Sequence, residues 1–555
     1  MTGHTGPAES LWRARVAQVL LPLLGFFATS LVLQVAAHAY TAELAGADEP
    51  AHFITALLIR DYLGQGLPAP PLAFAENYYV HYPKVALPIW PPVFHAMAST
   101  WMLVFPATIG SVRVLVALVT AVAGLLLYRM TTDDLGRATA LALGFGFIAL
   151  PQTQSITQQV MVDGLVTALA LAAALVWRRY SRTLAPRDSL WFGLLGAAAM
   201  LPKGNGVALL ALPVAWALLA NRIDVLGRRA TWYGPALMLV VGGPWTVYSL
   251  RLLQRTVVNA GARGTLGSRA SAYGNYLLEG VGPVVLVAAA IGLVAVVATR
   301  FRRDTLPDTW AVLVAMAIAV AGFHVVLPQP ANWRYLLPLL PACLWLAVRG
   351  VHALGAAVPP RIRAGVMALA ALALVAGVAE RASGAGDGQH HGIGAIAEWV
   401  VGQPPGVVLV SDGDSGVNTA GMFIAELAVR EARPGHIVLR GNKTLSTSTW
   451  DGQQPQLRHG TTPAILAYLA SIPVRYVILD DGPTAGAAVP ANELLRAALR
   501  DDSTGWKLAA TFPDAANPQH RRLAFETRTA PGPPGPISID MRHTLGRSIT
   551  LGAPR

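Results

Sequence analysis

The residues best suited to chemistry follow the first long apolar stretch of the chain: Asp48-Glu49-Pro50-Ala51-His52. Two adjacent carboxylates suit general-base catalysis on a hydroxyl group, because one can stay ionised while the other orients it. The same pattern is also typical of a solvated loop in which Asp48 begins a helix. Asp48 and His52, four residues apart, could instead bind a divalent metal ion. A metal is therefore a possible cofactor, although no ligand set is assigned.

More polar groups occur beside apolar stretches farther along the chain. The same loop continues through Tyr78-Tyr79-Val80-His81-Tyr82-Pro83-Lys84 to Trp90-Pro91-Pro92. Aromatic residues at a bilayer edge often serve only as an anchoring belt, but an anchor does not need His81 and Lys84. Ionisable groups are costly in lipid, so each one near a span is a candidate functional residue, although each alone could be a helix cap or a snorkelling side chain. This second set consists of Asp163, Lys203, His324 and Arg334.

The composition of the chain indicates what must position these residues. Of 555 residues, 54% are hydrophobic and 13% are charged. Soluble domains carry about 25% charged residues, so the composition predicts a membrane protein in contact with lipid. The net charge is +12, yet no run of five basic residues occurs, which excludes a nucleic-acid patch. The single Cys343 excludes a disulfide within the chain.

Apolar stretches long enough to approach the bilayer thickness predict about eleven transmembrane helices. They lie near 16–38, 111–128, 137–151, 160–177, 189–202, 204–220, 231–250, 281–299, 309–327, 335–349 and 364–380. The stretch 88–106 contains four prolines and is predicted not to cross. With the N-terminus inside, this arrangement places seventeen arginines on the cytoplasmic side and nine basic residues opposite. The positive-inside rule therefore predicts a plasma (inner) membrane protein with a cytoplasmic N-terminus and an extracytoplasmic C-terminal domain.

The composition changes after Gly384 and predicts a second domain. Residues 1–383 form the membrane module, in which the first outer loop spans 39–110. Short β-rich runs alternate with helical patterns over 384–530, which is typical of a soluble α/β domain. The β-rich runs lie at 407–411, 437–440, 475–479, 507–511 and 523–527. Residues 531–555 are rich in proline and predict a flexible tail. Asp412-Gly413-Asp414 resembles a metal-binding motif of nucleotide-sugar transferases, but loops after strands are commonly rich in Asp and Gly.

Several motifs together resemble one family of membrane enzymes. They are Asp48-Glu49 with its aromatic loop, LPKG at 201–204, GGPW at 242–245 and RYLLPLLPA at 334–342. In this order they resemble the GT-C membrane glycosyltransferases over residues 1–380. The most similar branch contains protein O-mannosyltransferases, lipid A aminoarabinose transferases and lipopolysaccharide-core galacturonosyltransferases. The resemblance implies transfer, with inversion, of a sugar from a polyprenyl-phosphate donor to an extracytoplasmic lipid, polysaccharide or protein.

The resemblance also implies roles for individual residues. Asp48 corresponds to the catalytic base and Glu49 to the acidic residue that follows it. The donor phosphate would be bound by Lys203, Arg334 and Lys84. The acceptor or sugar would be bound by His52, His81, Tyr82 and Asp163. One departure is that His81 and Lys84 precede Trp90-Pro91-Pro92, whereas relatives have a compact H-P-P or K-P-P motif, so the equivalent of that motif stays open.

A non-enzymatic membrane protein is the alternative: a transporter or flippase for lipid-linked sugars, or a scaffold that keeps the fold. A transporter would be expected to have broken helices near the membrane midplane and internal symmetry of its halves. The sequence has no visible repeat of this kind, which favours the enzyme.

Overall fold

Helices dominate the first 383 residues of the computed structural model. The structure describes residues 7–256, 264–301, 308–327, 331–383, 390–411, 419–447, 456–482, 490–528, 537–541 and 547–551. The helices of this part are, in chain order, α1 (Pro7–Ala36), α2 (Asp48–Gly64), α3 (Pro71–His81), α4 (Val93–Val104), α5 (Ile109–Leu135), α6 (Arg137–Ala149), α7 (Pro151–Thr157), α8 (Asp163–Thr183), α9 (Pro186–Met200), α10 (Leu212–Ala220), α11 (Arg229–Thr256), α12 (Leu266–Val281), α13 (Pro283–Phe301), α14 (Asp308–Val326), α15 (Leu340–Ala356) and α16 (Pro360–Ser383). Short 3₁₀ helices cover Gly204–Ala211, Ile223–Gly227 and Trp333–Leu339.

Each predicted span coincides with a helix, but the number of spans is not confirmed. Among the described residues, five helices are long and apolar enough to cross a membrane, or six if a bent pair counts as one span. They are Gln18–Ala36, Ile109–Leu135, Asp308–Val326, Trp333–Ala356 and Pro360–Ala382. The bent pair is α12 and α13, between which the chain bends by 110°. Several other helices are shorter than the roughly 20 residues that a bilayer requires; α6, for example, has 13.

Tertiary contacts divide the chain into two units. The helical unit comprises Met1–Ala39, Arg113–Val247 and Gly261–Asp387, and the mixed unit comprises Tyr40–Val112, Tyr248–Ala260 and Gly388–Arg555. The first outer loop, which the sequence assigned to the membrane module, therefore lies in the same unit as the C-terminal segment.

Aromatic packing and close helix contacts organise the helical unit. Trp177 of α8 is fully buried, and its ring centroid lies 4.9 Å from that of Phe192 and 5.8 Å from that of Trp216. Helices α13 and α15 approach so closely that a Cβ at Gly292 would lie 1.9 Å from the Leu346 carbonyl oxygen. A Cβ at Gly350 would likewise lie 2.0 Å from the Ala288 carbonyl oxygen. Only glycine fits at these two positions without a shift of the backbone.

The C-terminal part of the mixed unit is an α/β domain around a five-stranded sheet. Its strands are β1 (Val407–Val410), β2 (Ile437–Arg440), β3 (Ser446–Thr447), β4 (Gln456–Leu457), β5 (Val474–Asp481), β6 (Trp506–Pro513), β7 (Arg521–Thr527), β8 (Ile537–Met541) and β9 (Arg547–Leu551). Its helices are α17 (Ile393–Val401), α18 (Thr419–Arg430), α19 (Gly441–Thr444), α20 (Thr462–Ser471) and α21 (Pro490–Arg500). The sheet order is β2-β1-β5-β7-β6, in which β1 is parallel to β2 and β5, and β7 is antiparallel to its neighbours.

Two further features of this unit bear on the sequence predictions. Strands β8 and β9 pair as an antiparallel hairpin inside the segment 531–555 that was predicted to be a flexible tail. Val80 of α3 is buried in the same apolar cluster as Leu409 of β1 and Val477 of β5, and Tyr79 packs against that cluster. The first outer loop therefore supplies part of the core beside the sheet.

Candidate functional site

The acidic pair Asp48 and Glu49 lies in the first turn of α2, in the mixed unit. Glu49 is 1% exposed, and its Oε2 accepts a hydrogen bond from the Ala45 backbone N–H at 2.6 Å. Asp48 is the first residue of the helix and is partly exposed. A helix N-terminus stabilises negative charge through its dipole and its open N–H groups. Asp48 is thus the accessible carboxylate of the pair, whereas Glu49 shapes the turn that leads into α2.

Two histidines meet beneath this turn. His52 follows Asp48 by four residues, so the two side chains share one face of α2. His52 Nδ1 and His95 Nε2 share a hydrogen bond of 3.0 Å, and the His52 ring lies 4.1 Å from the Trp90 ring, centroid to centroid. Burial lowers the pKa of His95 to about 4, so its imidazole is neutral near pH 7. His95 was not predicted from the sequence, where it is a single polar residue in the apolar stretch 88–106.

Two further residues predicted in this loop, His81 and Tyr82, contact the segment before β2. His81 Nδ1 lies 3.0 Å from the Gly435 carbonyl oxygen. The Tyr82 hydroxyl donates to Glu431 Oε1 at 2.7 Å and accepts from the Gly435 backbone N–H. Burial and the neighbouring Glu431 carboxylate raise the pKa of Tyr82, so the phenol stays protonated. These contacts hold α3 against the α/β domain, and a role for His81, Tyr82 or Lys84 in substrate binding stays a prediction.

In the helical unit, the predicted polar residues surround one pocket. Lys203 Nζ lies 2.8 Å from Asp163 Oδ1 and 4.6 Å from the centre of the Tyr335 ring. The Tyr335 ring in turn stacks on His324 at 4.7 Å between centroids. The polar lining of the pocket consists of Asp163, Lys203, Asn205, His324, Arg334 and Tyr335. Three residues that the resemblance singled out thus share one pocket: Asp163, Lys203 and Arg334.

The backbone explains how these side chains converge. Asp163 is the first residue of α8, and Lys203 is extended between α9 and the following 3₁₀ helix. Arg334 lies on the 3₁₀ helix that precedes α15, where the Asn332 side chain accepts hydrogen bonds from the backbone N–H and Nε of Arg334. All three residues therefore occupy breaks or ends of helices rather than helix interiors.

Charge and hydrogen-bonding capacity define what this pocket can bind. Asp163 is buried, and its Oδ2 has no hydrogen-bond partner within the described part of the chain. An ammonium group has three N–H donors, of which Lys203 directs one to Asp163. Lys203 and Arg334 together are suited to binding phosphate oxygens through charge-assisted hydrogen bonds.

No metal centre is formed by the residues that the structure covers. Within them, no group of three or more His, Cys, Asp or Glu side chains could hold a metal ion. Asp412-Gly413-Asp414 lies outside the described residues.

Comparisons with known proteins agree with the fold. Residues 90–248 match the family model of dolichyl-phosphate-mannose-protein mannosyltransferases. The structure of ArnT from Cupriavidus metallidurans bound to undecaprenyl phosphate is similar at a TM-score of 0.57 and 15% identity, over 92% of this chain and 99% of that one. The archaeal oligosaccharyltransferase AglB from Archaeoglobus fulgidus, in complex with an inhibitory peptide and a dolichol-phosphate, is similar at a TM-score of 0.56 and 14% identity, over 84% of this chain and 70% of that one.

A search of curated protein sequences gave no significant match. The structural similarities nevertheless confirm the resemblance that the motifs suggested. The chain has the fold of the GT-C glycosyltransferases, and its residues 90–248 match the sequence of their dolichyl-phosphate-mannose-protein mannosyltransferase family.

Proposed function

We propose that the protein is an integral-membrane glycosyltransferase that moves a sugar from a polyprenyl-phosphate donor to an extracytoplasmic acceptor with inversion. The observation that supports this most directly is the pocket of the helical unit, where Lys203 and Arg334 accompany the buried Asp163. Two cations beside a single carboxylate suit the phosphate of a lipid-linked donor. The bound lipid phosphates of the similar structures are consistent with such a donor.

Asp48 is the proposed base. In the reaction, the acceptor hydroxyl oxygen forms a bond to the anomeric carbon while the bond from that carbon to the phosphate oxygen breaks. Asp48 takes the hydroxyl proton, and the polyprenyl phosphate leaves with the bonding electron pair. Lys203 and Arg334 stabilise the negative charge that accumulates on the leaving phosphate.

The test is a transfer assay with the purified full-length protein. Polyprenyl-phosphate sugars are incubated with the protein and a cell-envelope extract, and transferred label is identified by mass spectrometry. Asp48→Asn is expected to lower transfer at least about 100-fold, because general-base catalysis typically contributes 10²- to 10⁴-fold. Asp501→Asn, at an exposed turn of the α/β domain, is the matched control and should keep full activity. A fully active Asp48→Asn protein would contradict the assignment.

Lys203→Met tests the donor site in the same assay. Loss of a charge-assisted hydrogen bond costs about 1.5–3 kcal/mol, so kcat/KM for the donor is expected to fall about 10- to 100-fold. The variant keeps a long, flexible side chain that can pack against Tyr335. An unchanged kcat/KM for the donor would remove Lys203 from the proposed phosphate site.

A further inference from the structure

The mixed unit contains a second open pocket, with a volume of about 410 Å³. It lies between the end of α2, the start of α3 and the turn that precedes β2. Its polar lining consists of Asp61, Gln65, Asn77, Tyr78 and Arg433, and Phe74 adds an apolar aromatic ring. An α-helix rises 1.5 Å per residue, so Asp61 lies about 20 Å along α2 from Asp48. The pocket is therefore separate from the first turn of α2.

The floor of this pocket is formed by a buried carboxylate that is held by ion pairs. Asp61 is 4% exposed and is held by Arg433 through two hydrogen bonds, Nε to Oδ2 at 2.5 Å and Nη2 to Oδ1 at 3.0 Å. The Tyr78 hydroxyl also lies 3.4 Å from Asp61 Oδ2. The residues that line the pocket include one carboxylate and one guanidinium, which pair with each other. Arg60, which is not part of the lining, also pairs with Asp61, at 2.9 Å from Oδ1, so no carboxylate of the lining is left to bind an ammonium group. The chemistry of the pocket suits an uncharged ligand that is rich in hydroxyl groups.

Hydrogen-bond donors remain above this floor. A guanidinium has five N–H groups, of which Arg433 directs two to Asp61 and one to the Ala428 carbonyl oxygen. The other two have no partner among the residues that the structure describes. The exposed amides of Gln65 and Asn77 add donors and acceptors at the mouth of the pocket. Such groups can bind hydroxyl groups from several directions.

One wall of the pocket is apolar and stiff. Phe74 lies 5.1 Å from Tyr62 and 6.1 Å from Tyr78 between ring centroids, so packing restricts its ring. Pro68, Pro70 and Pro434 complete the wall, and proline has little conformational freedom to lose on binding. The apolar C–H face of a sugar ring fits such a wall, while its hydroxyl groups face the polar side.

Exposed leucines neighbour the lining residues along the chain. Leu63, Leu67 and Leu72, here called the leucine rim, are 43%, 56% and 53% exposed. A Cβ at Gly64 would lie 3.6 Å from Leu103, so the leucine rim adjoins the end of α4, where Val104 is 75% exposed. Helix α4 ends five residues before Ile109, the start of a helix able to span a membrane. Exposed apolar residues this close to a span indicate contact with lipid.

We propose that this pocket binds an uncharged sugar headgroup carried by a membrane lipid, with the lipid chain lying on the leucine rim. Phe74 and the prolines contact the apolar face of the sugar. Asn77, Gln65 and Arg433 bind its hydroxyl groups. The site is distinct from the transfer site proposed above and does not depend on catalysis.

Photoaffinity labelling of the full-length protein in phosphatidylcholine nanodiscs tests the site without any need for transfer activity. The probes are dodecyl glucoside, dodecyl galactoside and dodecyl maltoside, each with a diazirine beside the glycosidic oxygen. Labelled peptides from residues 61–78 and 433–434 are expected in the wild type. Asn77→Ala, a change at an exposed side chain, should lower this labelling at least five-fold, and Phe74→Ala should do the same. Gln519→Ala, at an exposed amide elsewhere in the unit, and Asp48→Asn should label like the wild type.

Two competition arms identify the source of the sugar. A dodecyl phosphocholine probe that labels the same peptides equally well would overturn the sugar assignment, because binding would then follow the alkyl chain alone. Free glucose, galactose or maltose that competes as well as its dodecyl glycoside would overturn the lipid anchor and indicate a soluble glycan. Absence of labelling by all three glycosides, or equal labelling of Asn77→Ala and wild type, would overturn the site itself.

Discussion

Lys203 of the helical unit must be stabilised as a partly buried cation and must also bind the proposed donor phosphate. Its ammonium is partly buried, and Asp163 at 2.8 Å supplies the counter-charge that a cation away from water needs. The ring of Tyr335 adds a second favourable contact. The pair therefore holds the cation in place before any donor arrives, and a phosphate would then share Lys203 with Asp163.

The burial of His95 predicts how the stability of the protein depends on pH. Its folded-state pKa of about 4 lies below the ordinary value of 6.5, so the unfolded chain binds more protons between these values. The stability contributed by neutral His95 is thus complete above pH 6.5 and is lost as the pH falls to 4. The loss is on the order of 3 kcal/mol. The groups that face His95 are His52, Trp90 and Phe94.

The measurement is the melting temperature of the purified protein between pH 7 and pH 4. His95→Gln keeps a hydrogen-bonding side chain but cannot ionise, so its melting temperature should fall less with acid than that of the wild type. Identical pH profiles for the two proteins would show that burial of His95 does not contribute to acid sensitivity.

At the scale of elements, the contact between α13 and α15 depends on two glycines. Each lies against a backbone carbonyl of the opposite helix, and a backbone cannot move aside as a flexible side chain can. Small residues at such crossings let helices in a membrane approach closely, which maximises van der Waals contact where lipid offers no hydrophobic driving force.

Gly350→Ala is therefore expected to destabilise the helical unit by about 1–3 kcal/mol, the usual cost of overpacking. Thermal unfolding in detergent, followed by intrinsic tryptophan fluorescence, measures the effect. Gly322→Ala on α14 is the control, because a Cβ there would meet no atom within 4 Å. A melting temperature for Gly350→Ala equal to that of the control would mean that the two helices separate at little cost.

The orientation of the whole molecule in the membrane can be tested by labelling introduced cysteines, because the single native cysteine, Cys343, is buried. We expect the wild type to resist a membrane-impermeant maleimide in spheroplasts of a bacterial expression host. Gln519→Cys, at an exposed site of the α/β domain, should label in intact spheroplasts. Arg187→Cys, at an exposed site in the first turn of α9, should label only after permeabilisation. The reverse pattern would invert the predicted topology.

Local patterns in the sequence were sufficient for much of the fold. Short Val- and Ile-rich runs predicted strands near 407–411, 437–440 and 475–479, where β1, β2 and β5 lie. Long apolar stretches predicted helices, but helix length alone does not decide which of them cross a membrane. Contacts between residues distant in sequence could not be predicted, because no local pattern links His52 to His95. The proximity of Asp163 and Lys203 was suggested by the family resemblance and by the expected topology rather than by spacing.

The burial of Val80 against the β-sheet has a consequence for biosynthesis. Ribosomes add roughly 5–20 residues per second, so Val80 is made about 20–80 s before the strands it packs against. Throughout that interval the first outer loop lacks its partner, and its apolar side chains are open to aggregation or to chaperones. The α/β domain must in turn fold onto a segment that is already tethered at both ends. Maturation of the mixed unit is therefore a late event. In nascent chains stalled before Phe525, Asp48 and Glu49 would belong to a mixed unit whose β-sheet is incomplete.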